Sequence, residues 1–258
     1  MQRYFVPAAQ FSEHSVTITG EDARHIIKVM RSEEGDELIA CDGEQLDVLA
    51  AIESMTDGVV TARILERLEQ LSEAKVQVTI AQSLPKGDKM ETVIQKCTEL
   101  GAAAFVPFLS ARTVVQYDSR KEEKRLQRWS KIAKEAAEQS HRSRIPVIQH
   151  PLSWKQLIAS LEAYDLICFC YEKEDGSQLR DVVQPFAASL AQRQQSEQPA
   201  RVLIVVGPEG GFTEQEVETA EQHGAVSTGL GRRILRTETA AMTALACIMY
   251  ETGEMGGI

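Results

Sequence analysis

Two glycine-containing segments near the C-terminal end hold the residue types that could do chemistry. The first reads VVGPEGGFTEQEV from Val205, and the second reads LGRRILRTETA from Leu230. Glycines after a strand let the backbone approach a ligand closely, and the N–H groups at a helix start remain free to donate. Either segment alone is also typical of a tight strand-to-helix turn. Two of them after successive strands favour a ligand site, because open α/β sheets bind ligands beyond the carboxyl ends of their strands.

The motifs of several common nucleotide-binding and hydrolytic folds are missing from the sequence. No G-x-x-x-x-G-K-[ST] pattern occurs, which excludes a P-loop. No G-x-G-x-x-G follows the first strand of the second half, and no G-x-S-x-G occurs anywhere. These absences argue against a dinucleotide-binding or ordinary Rossmann-type methyltransferase fold and against an α/β-hydrolase.

The cysteines and the apolar runs predict neither a metal site nor a membrane segment. Five cysteines are scattered along the chain, and two of them stand in LICFCY, which is typical of a buried strand. C-x-x-C pairs and clustered histidines are absent, so we expect no bound metal. No apolar run is long enough to span a bilayer, and the start lacks the apolar stretch of a signal peptide. We therefore expect a cytoplasmic protein.

Charge is distributed unevenly along the chain. The net charge is −10, which by itself argues against nucleic acid as a partner. Residues 119–144 nevertheless contain nine Lys and Arg side chains against four Glu. Such a run is often only the solvated face of a helix, and it is also what a nucleic-acid contact requires. Both interpretations stay open at this point.

The elements that must position the glycine segments fall into two groups. Up to about residue 70, strand-like runs at 35–43, 45–54 and 57–68 are bounded by Gly-Asp and Asp-Gly pairs, after a short helix at 21–31. This pattern predicts a small antiparallel sheet or barrel. From residue 75 onward, short apolar strands alternate with helices, which predicts a mostly parallel sheet covered on both faces.

The helices of the second half carry recognisable signals. The segment GDKMETVIQKCTELG has Met90, Ile94 and Cys97 on one stripe and Gly101 as its stop. Thr213-x-x-Glu216 is a capping box directly after the first glycine segment. We therefore divide the chain into residues 1–72 and residues 73–258.

The paired segments GPEGG and LGRRILRTETA resemble the cofactor loops of SPOUT methyltransferases, and within them the RsmE family of 16S rRNA uridine-N3 methyltransferases. LPKGDKMETVIQKCTELG, EAAEQSHRSRIP and HIIKVMRSEEGD agree with that family too, so the resemblance covers nearly the whole chain. It implies an N-terminal PUA-like RNA-binding β-barrel and a C-terminal α/β domain with a deep trefoil knot, a rare exception to unthreaded chains. It also implies S-adenosyl-L-methionine as cofactor, a homodimer with the active site near the subunit interface, and 16S rRNA of the small ribosomal subunit, near the decoding region, as substrate.

The resemblance also assigns residues to the cofactor. The backbone of the first loop and the apolar residues of the second are expected to surround the adenosine. Without the glycines, the leucines and the isoleucine would be ordinary core residues. The expected cofactor-binding residues are Gly207, Glu209, Gly211, Leu230, Gly231, Ile234, Leu235 and Thr239.

Methyl transfer to uracil N3 limits what the catalytic residues must do. A sulfonium methyl donor needs an aligned nucleophile rather than a metal or a covalent intermediate. The N3 proton must be lost, and the resulting charge spreads to O2 and O4, so cationic donors or a base are required. Arg236 is our first candidate for the donor because guanidinium is a fixed fork of donors that stays charged; a salt bridge to Glu209 or Glu238 is its alternative role. Glu238 is a candidate proton acceptor or a support for Arg236, and the resemblance adds Glu138 and Arg142.

Two other functions compete with this interpretation. One is a non-catalytic, dimeric RNA-binding protein, which the two intact glycine loops argue against. The other is an enzyme of the same fold that acts on tRNA or on a ribose 2′-hydroxyl. The sequence offers no independent indication of the target nucleotide.

Overall fold

The computed structural model describes residues 1–115, 118–190, 192 and 198–256, with only the backbone of Ser119. Two compact units are present. One consists of residues 1–73 together with 134–145, and the other of residues 74–133 together with 146–258.

The first unit is built on a five-stranded sheet. Its strands are β1 (Arg3–Phe5), β2 (Ser15–Ile18), β3 (Glu37–Cys41), β4 (Asp47–Thr56) and β5 (Val59–Leu68), in the order β1-β3-β4-β5-β2. Only the β1–β3 pairing is parallel. The three strands predicted at 35–68 are confirmed. Asp57 and Gly58, with φ of 53° and 76°, form the two-residue turn between β4 and β5, where positive φ at both positions matches the twist of the strands.

One face of every strand contributes side chains to the core of the first unit. Tyr4, Val16, Leu38, Ala50 and Val60 from the five successive strands all belong to one buried cluster. The predicted helix at 21–31 is present as α1 (Gly20–Arg24) followed by a π-helical turn (His25–Met30). The wider turn shifts the helical period. Ile26 is therefore buried while Met30, four residues later, is 41% exposed.

The second unit contains a parallel sheet, as predicted. Its strands are β6 (Gln77–Ser83), β7 (Ala104–Leu109), β8 (Val147–Ile148), β9 (Leu152–Ser153), β10 (Leu166–Cys170), β11 (Arg201–Val206) and β12 (Val226–Thr228). The order is β12-β10-β11-β6-β7-β8, with β9 also paired to β7. Every pairing is parallel. All residues of β11 from Val202 to Val206 are buried, and because successive side chains alternate between faces, both faces of the sheet are covered.

The helices follow the predicted alternation. They are α2 (Lys89–Glu99), α3 (Ser119–Gln139), α4 (Trp154–Ser160), α5 (Leu179–Leu190), α6 (Glu214–Gln222) and α7 (Thr237–Glu251), with 3₁₀ turns at Ala8–Gln10 and Leu161–Ala163. Met90, Ile94 and Cys97 form the buried stripe of α2, as predicted, and Gly101, with φ of 98°, follows the end of the helix. Within the ranges described above, no helix is both long and apolar enough to cross a membrane.

The last part of α3 and the residues after it belong to the first unit. Ala137 is buried with Phe5 and Cys41, and Lys134 Nζ lies 2.6 Å from an oxygen of Asp22. The sequence-based division into residues 1–72 and 73–258 does not include this return of the chain to the first unit. Residues 134–139 continue a helix that starts in the second unit, so no change of local pattern marks the return.

The five cysteines are free thiols. Four of them are buried, including Cys168 and Cys170 on β10, which fits the expectation of small core residues. Cys247 on α7 is exposed.

Candidate active site

A cavity of about 440 Å³ lies at the carboxyl end of the parallel sheet in the second unit. Three loops line it, because β12, β10 and β11 are neighbours and their carboxyl ends meet at one edge. The loop after β11 contains the first glycine segment, and the loop after β12 contains the second. The loop after β10, residues 171–178, lies between them in strand order.

The first loop needs glycine at two positions. A Cβ at Gly207 would lie 3.0 Å from the ring of Phe212, which is buried against Phe108 and Phe169. Gly211 has φ of 66°, and a Cβ there would lie 2.4 Å from Glu172 Oε1. Backbone therefore approaches its neighbours here without a side chain between them. The predicted capping box is confirmed: Thr213 Oγ1 accepts from the Glu216 N–H, and the Glu216 carboxylate accepts from the Thr213 N–H.

Buried hydrogen bonds connect the start of α7 to the first loop. The Thr237 hydroxyl donates to the carbonyl of Gly207 at 2.6 Å, and Gln82 Nε2 donates to Thr237 Oγ1 at 2.8 Å. Gln82 is fully buried at the end of β6, and its Oε1 has no hydrogen-bond partner within the described residues. Neither residue was predicted from the sequence. These bonds fix the distance between the two loops that flank the cavity.

The loop after β10 supports the second glycine loop. Gln178 Oε1 accepts from the Gly231 N–H at 3.2 Å, and the carbonyl of Ser177 accepts from the Gly229 N–H at 2.8 Å. A Cβ at Gly229 would lie 2.7 Å from the carbonyl oxygen of Glu174. Sequence analysis missed this third loop because YEKEDGSQ has no fingerprint of its own. Its position depends on the strand order.

Most of the predicted cofactor residues meet in this cavity. Those that line it are Gly207, Glu209, Gly211, Leu230, Gly231, Ile234 and Leu235. Ile234 is 89% exposed, so it is not the ordinary core residue that its type alone would suggest. Thr239 lies in the first turn of α7, half-buried, and is not part of the cavity wall.

Arg236 lines the cavity at the N-cap position of α7. Its side chain is exposed, and the part of the chain that the structure describes offers it no hydrogen bond or ion pair. The salt bridge to Glu209 or Glu238, its alternative role, is not formed. The guanidinium is therefore available to a ligand.

Lys89, at the start of α2, pairs with both of those carboxylates. Its Nζ lies 2.8 Å from Glu209 Oε1 and 3.8 Å from Glu238 Oε2. Partial burial raises the pKa of Glu209, but hydrogen bonds from Lys89 and from the Lys86 N–H outweigh it and hold that pKa below its usual value. Glu238 Oε2 is buried and accepts no hydrogen bond within the described residues. Sequence analysis did not single out Lys89, although it stands in the segment GDKM that supports the family resemblance.

Comparisons with known proteins show the family to which this chain belongs. Residues 72–249 match the RNA methyltransferase domain family, and residues 18–65 match the RNA methyltransferase PUA domain. The ribosomal RNA small subunit methyltransferase E of Bacillus subtilis (strain 168) is 42% identical, over 100% of this chain and 99% of the relative. The protein of the same name from Synechocystis is 35% identical, over 95% of this chain and 76% of the relative. The chain belongs to the ribosomal RNA small subunit methyltransferase E family.

Solved structures agree with this membership. A methyltransferase E from Neisseria gonorrhoeae, bound to S-adenosylmethionine, has a TM-score of 0.83 at 28% identity and covers 97% of both chains. A Legionella pneumophila protein in complex with the same cofactor has a TM-score of 0.83 at 30% identity, over 96% of both chains. The stretch of this chain that matches the methyltransferase domain contains every residue of the cavity wall.

Two predicted catalytic residues lie in the first unit of this methyltransferase E family member. Glu138 Oε1 accepts from the Phe5 N–H at 3.0 Å and lies 3.3 Å from Lys134 Nζ. Burial raises the pKa of Glu138 above its usual value, with Asp22 contributing, despite the lowering effects of the Phe5 N–H and Lys134. The catalytic role of Glu138 stays a prediction.

Arg142 has contacts that belong to the fold. Its buried side chain lies 2.7 Å from Glu73 Oε2, while Glu73 Oε1 accepts the N–H groups of Ser143 and Arg144. The carboxylate of Glu73 thereby holds the segment that follows α3. These contacts favour a structural role for Arg142, and its catalytic role likewise stays a prediction.

The basic segment 119–144 is only partly a free surface. Arg128 pairs with Glu91 at 2.6 Å, and Lys134 and Arg142 hold the contacts given above. Arg120, Lys121 and Lys124 are exposed and have no ion pair among the described residues. Among all residues that the structure describes, no group of three or more His, Cys, Asp or Glu side chains is arranged to hold a metal ion.

Proposed function

We propose that this chain is an S-adenosyl-L-methionine-dependent methyltransferase that modifies N3 of a uridine in 16S rRNA near the decoding region. The observation that carries the proposal is the cavity at the ends of β10, β11 and β12, with two glycine loops in its wall and the unpaired guanidinium of Arg236 beside them. The family relatives are named for methylation of small-subunit rRNA, and two structural neighbours bind S-adenosylmethionine.

The cavity residues fit this cofactor. S-adenosylmethionine carries a positive sulfonium and a positive ammonium, and the wall presents the carboxylates of Glu172, Glu174 and Glu209. A Cβ at Gly207 or Gly211 would press on Phe212 or Glu172, which also line the cavity, so the loop keeps this course only without side chains at those positions. Ile234 and Leu235 offer the apolar surface that a purine requires.

When bound, the cofactor supplies a methyl group from its sulfonium. The chain must position the uracil, exclude water and accept the charge that develops when N3 loses its proton. Arg236 is the proposed donor to the uracil oxygens, because it lines the cavity, has no side-chain partner among the described residues and stays charged. Glu238 is the proposed proton acceptor, since its nearest cation is Lys89 rather than Arg236.

The proposal extends to the fold. The strand order inserts β11 between β6 and β10, and backbone bonds join residues 171–179 to Thr228 and Gly229, which supports the trefoil knot implied by the family. Convergence of all five strands of the first unit on one core supports a PUA-like barrel. Residues 1–72 would grip RNA and residues 73–258 would catalyse, in the cytoplasm, where the small ribosomal subunit is found.

Nucleoside mass spectrometry tests the reaction. Cells lacking the protein should lose N3-methyluridine from 16S rRNA, and the purified protein should restore it on RNA from those cells with labelled S-adenosylmethionine. Labelled methyl groups on tRNA or on ribose 2′-oxygens would show that the enzyme acts on another substrate. RNA binding without cofactor binding, measured by calorimetry, would support the non-catalytic alternative.

We also propose a homodimer that uses the exposed side of α7. Thr243, Ala246, Cys247 and Tyr250 follow one another at helical spacing on this apolar helix, and Tyr250 is 67% exposed. We expect light scattering at micromolar concentration to give a dimer, and Cys247→Arg to give a monomer. Glu218→Arg, on the exposed side of α6, is the control. A monomer for the unaltered protein would contradict the proposal.

A further inference from the structure

Two buried polar side chains beside the cavity have no role in the proposed chemistry. Gln82, at the end of β6, is 0% exposed, and Thr237, the first residue of α7, is 7% exposed. Both contact the carbonyl of Gly207 in the first glycine loop. A polar side chain is costly to bury unless its hydrogen bonds are made, so this pair requires an explanation.

The hydrogen bonds of the pair fix the direction of each donor. The single hydroxyl proton of Thr237 goes to the carbonyl of Gly207, at 2.6 Å. Thr237 Oγ1 can therefore only accept from Gln82, so the amide nitrogen of Gln82 faces it, at 2.8 Å. The same nitrogen also donates to the carbonyl of Ser83 at 3.0 Å. We call Gln82, Thr237 and the carbonyl of Gly207 the polar bracket.

One atom of the polar bracket is left without a partner. Gln82 Oε1 is buried and accepts no hydrogen bond among the residues that the structure describes. An unpaired buried acceptor is costly and rare in native proteins, so stability alone does not account for an amide at this place. What the Gln82 side chain supplies is the donor that reaches Thr237.

The polar bracket ends one residue from Arg236. Arg236 is the N-cap residue of α7, with φ of −66° and ψ of 152°, and its carbonyl accepts from the Ala240 N–H at 2.8 Å. The Arg236 side chain makes no capping hydrogen bond, although Ser, Thr, Asp and Asn are the residues that stabilise this position. Helix stability therefore does not explain an arginine here, whereas a role in the cavity does.

The loop before Arg236 offers it less support. Residues 232–235 form no hydrogen bond or ion pair within the described part of the chain, and Ile234 is 89% exposed. The nearest anchored residue before them is Gly231, whose N–H donates to Gln178. The backbone of Arg236, and hence the base of its side chain, is therefore held mainly from Thr237 onward.

We propose that Gln82 and Thr237 are positioning residues, which hold Arg236 at a fixed place relative to the first glycine loop. In the proposed reaction that loop binds the cofactor and Arg236 contacts the uracil oxygens. The polar bracket thus sets the alignment of the methyl donor with its acceptor. A displacement of about 1 Å can lower a rate on the order of 10²-fold. The inference rests on the proposed function and adds to it two residues that act without touching the uracil.

Single-turnover methylation of 16S rRNA from cells that lack the protein tests the polar bracket from both ends. For Thr237→Val, which removes the hydroxyl, and for Gln82→Met, which removes the donor, we expect the rate at saturating cofactor and RNA to fall roughly 10- to 100-fold. Cofactor affinity, measured by calorimetry, should stay close to that of wild type. Thr237→Ser keeps the hydroxyl and should recover most of the rate. Thr79→Val, the same substitution at a buried threonine of β6 outside the cavity wall, is the matched control.

A double-mutant cycle separates positioning from a general structural role. Thr237→Val should lower the rate strongly in the wild type and barely in an Arg236→Ala background, since the residue that it positions is already gone. Full additivity of the two losses, or an unchanged rate in both Thr237→Val and Gln82→Met, would overturn the proposal. So would a fall in cofactor affinity parallel to the fall in rate, because Thr237 would then be a cofactor contact. The same cycle with Gln82→Met keeps the test independent of the folding of one variant.

Failure of the proposed function is seen separately. A wild-type protein that neither binds S-adenosylmethionine nor methylates rRNA would refute that function, and with it the basis of the polar bracket. Arg236→Ala with a normal rate would refute the role of Arg236 and its positioning together. An active wild type and an impaired Arg236→Ala, with additive losses in the cycle, would refute the polar bracket alone.

Discussion

At the scale of single residues, two of the cations that line the cavity, Arg236 and Lys89, have different surroundings. Among the described residues, the Arg236 side chain has no hydrogen-bond or ion-pair partner, whereas Lys89 is shared by two carboxylates. An unpaired guanidinium can turn toward a ligand without breaking an existing bond, so it suits a donor to developing charge. A shared ammonium holds its neighbours in place, so it suits the support of the loops. These different surroundings predict different phenotypes.

We expect Arg236→Ala to keep affinity for S-adenosylmethionine and to lower the methylation rate by roughly 10²- to 10³-fold, the usual cost of losing one donor to a developing charge. Calorimetry gives the affinity and single-turnover methylation of rRNA gives the rate. Arg180→Ala, an exposed arginine of α5 outside the cavity, should match wild type in both. A parallel fall in cofactor affinity would instead give Arg236 a structural role.

Replacing Lys89 should change cofactor affinity through its effect on Glu209. With its hydrogen bond from Lys89 lost, the pKa of Glu209 should rise, and cofactor affinity should fall on the order of tenfold, as for loss of a hydrogen bond to a charged group. We expect this for Lys89→Met, with partial recovery in Lys89→Arg. Lys96→Met on the same helix, where the lysine pairs with Glu99, is the control.

The pH dependence follows from the direction of the same shift. Because the pKa of Glu209 lies below its usual 4.5, its pairing stabilises the folded protein above about that pH, and the contribution is lost as pH falls through the lowered pKa. Thermal melts of wild type and Lys89→Met should therefore differ most near neutral pH and converge under acid conditions. A constant difference across this range would contradict the role of the Glu209 charge.

At the scale of elements, the sequence predicts what depends on local pattern. The strands at 35–68 could be predicted because Asp-Gly turns and alternating residues are local signals, and the buried stripe of α2 could be predicted because its period is helical. The loop at 171–178 could not be placed, because only the pairing of β10 with both β11 and β12 brings it to the cavity. The π-helical turn changes the period within a few residues, which a regular helical pattern does not anticipate.

The return of residues 134–145 to the first unit gives Arg142 a testable role. We expect Arg142→Ala to lower the free energy of unfolding by about 3–5 kcal/mol, since it leaves the largely buried Glu73 carboxylate without its cation. Chemical denaturation measures the change. Arg144→Ala, where only the backbone N–H contacts Glu73, should cost little. A stable Arg142→Ala protein that binds cofactor and does not methylate RNA would restore the catalytic role.

At the scale of the whole molecule, an acidic protein must bind RNA through local patches. The net charge of −10 repels phosphates, so exposed cations such as those at 120–124 have to act locally. RNA affinity should accordingly weaken steeply with salt, while cofactor affinity, which we assign mainly to backbone and apolar contacts, should barely change. The two activities then belong to different parts of the chain.

Removing the first 72 residues separates these parts. All residues of the cavity wall lie at or beyond Lys89, and the hydrogen bonds among Gln82, Gly207 and Thr237 stay within the second unit. We therefore expect a chain that begins at residue 73 to bind S-adenosylmethionine, measured by calorimetry, and to lose methylation of rRNA. In this chain Ala137 loses Phe5 and Cys41, whereas Arg142 keeps its partner Glu73. Methylation at the normal rate by the shortened chain would show that the first unit does not recognise RNA, and a folded chain without cofactor binding would place the pocket elsewhere.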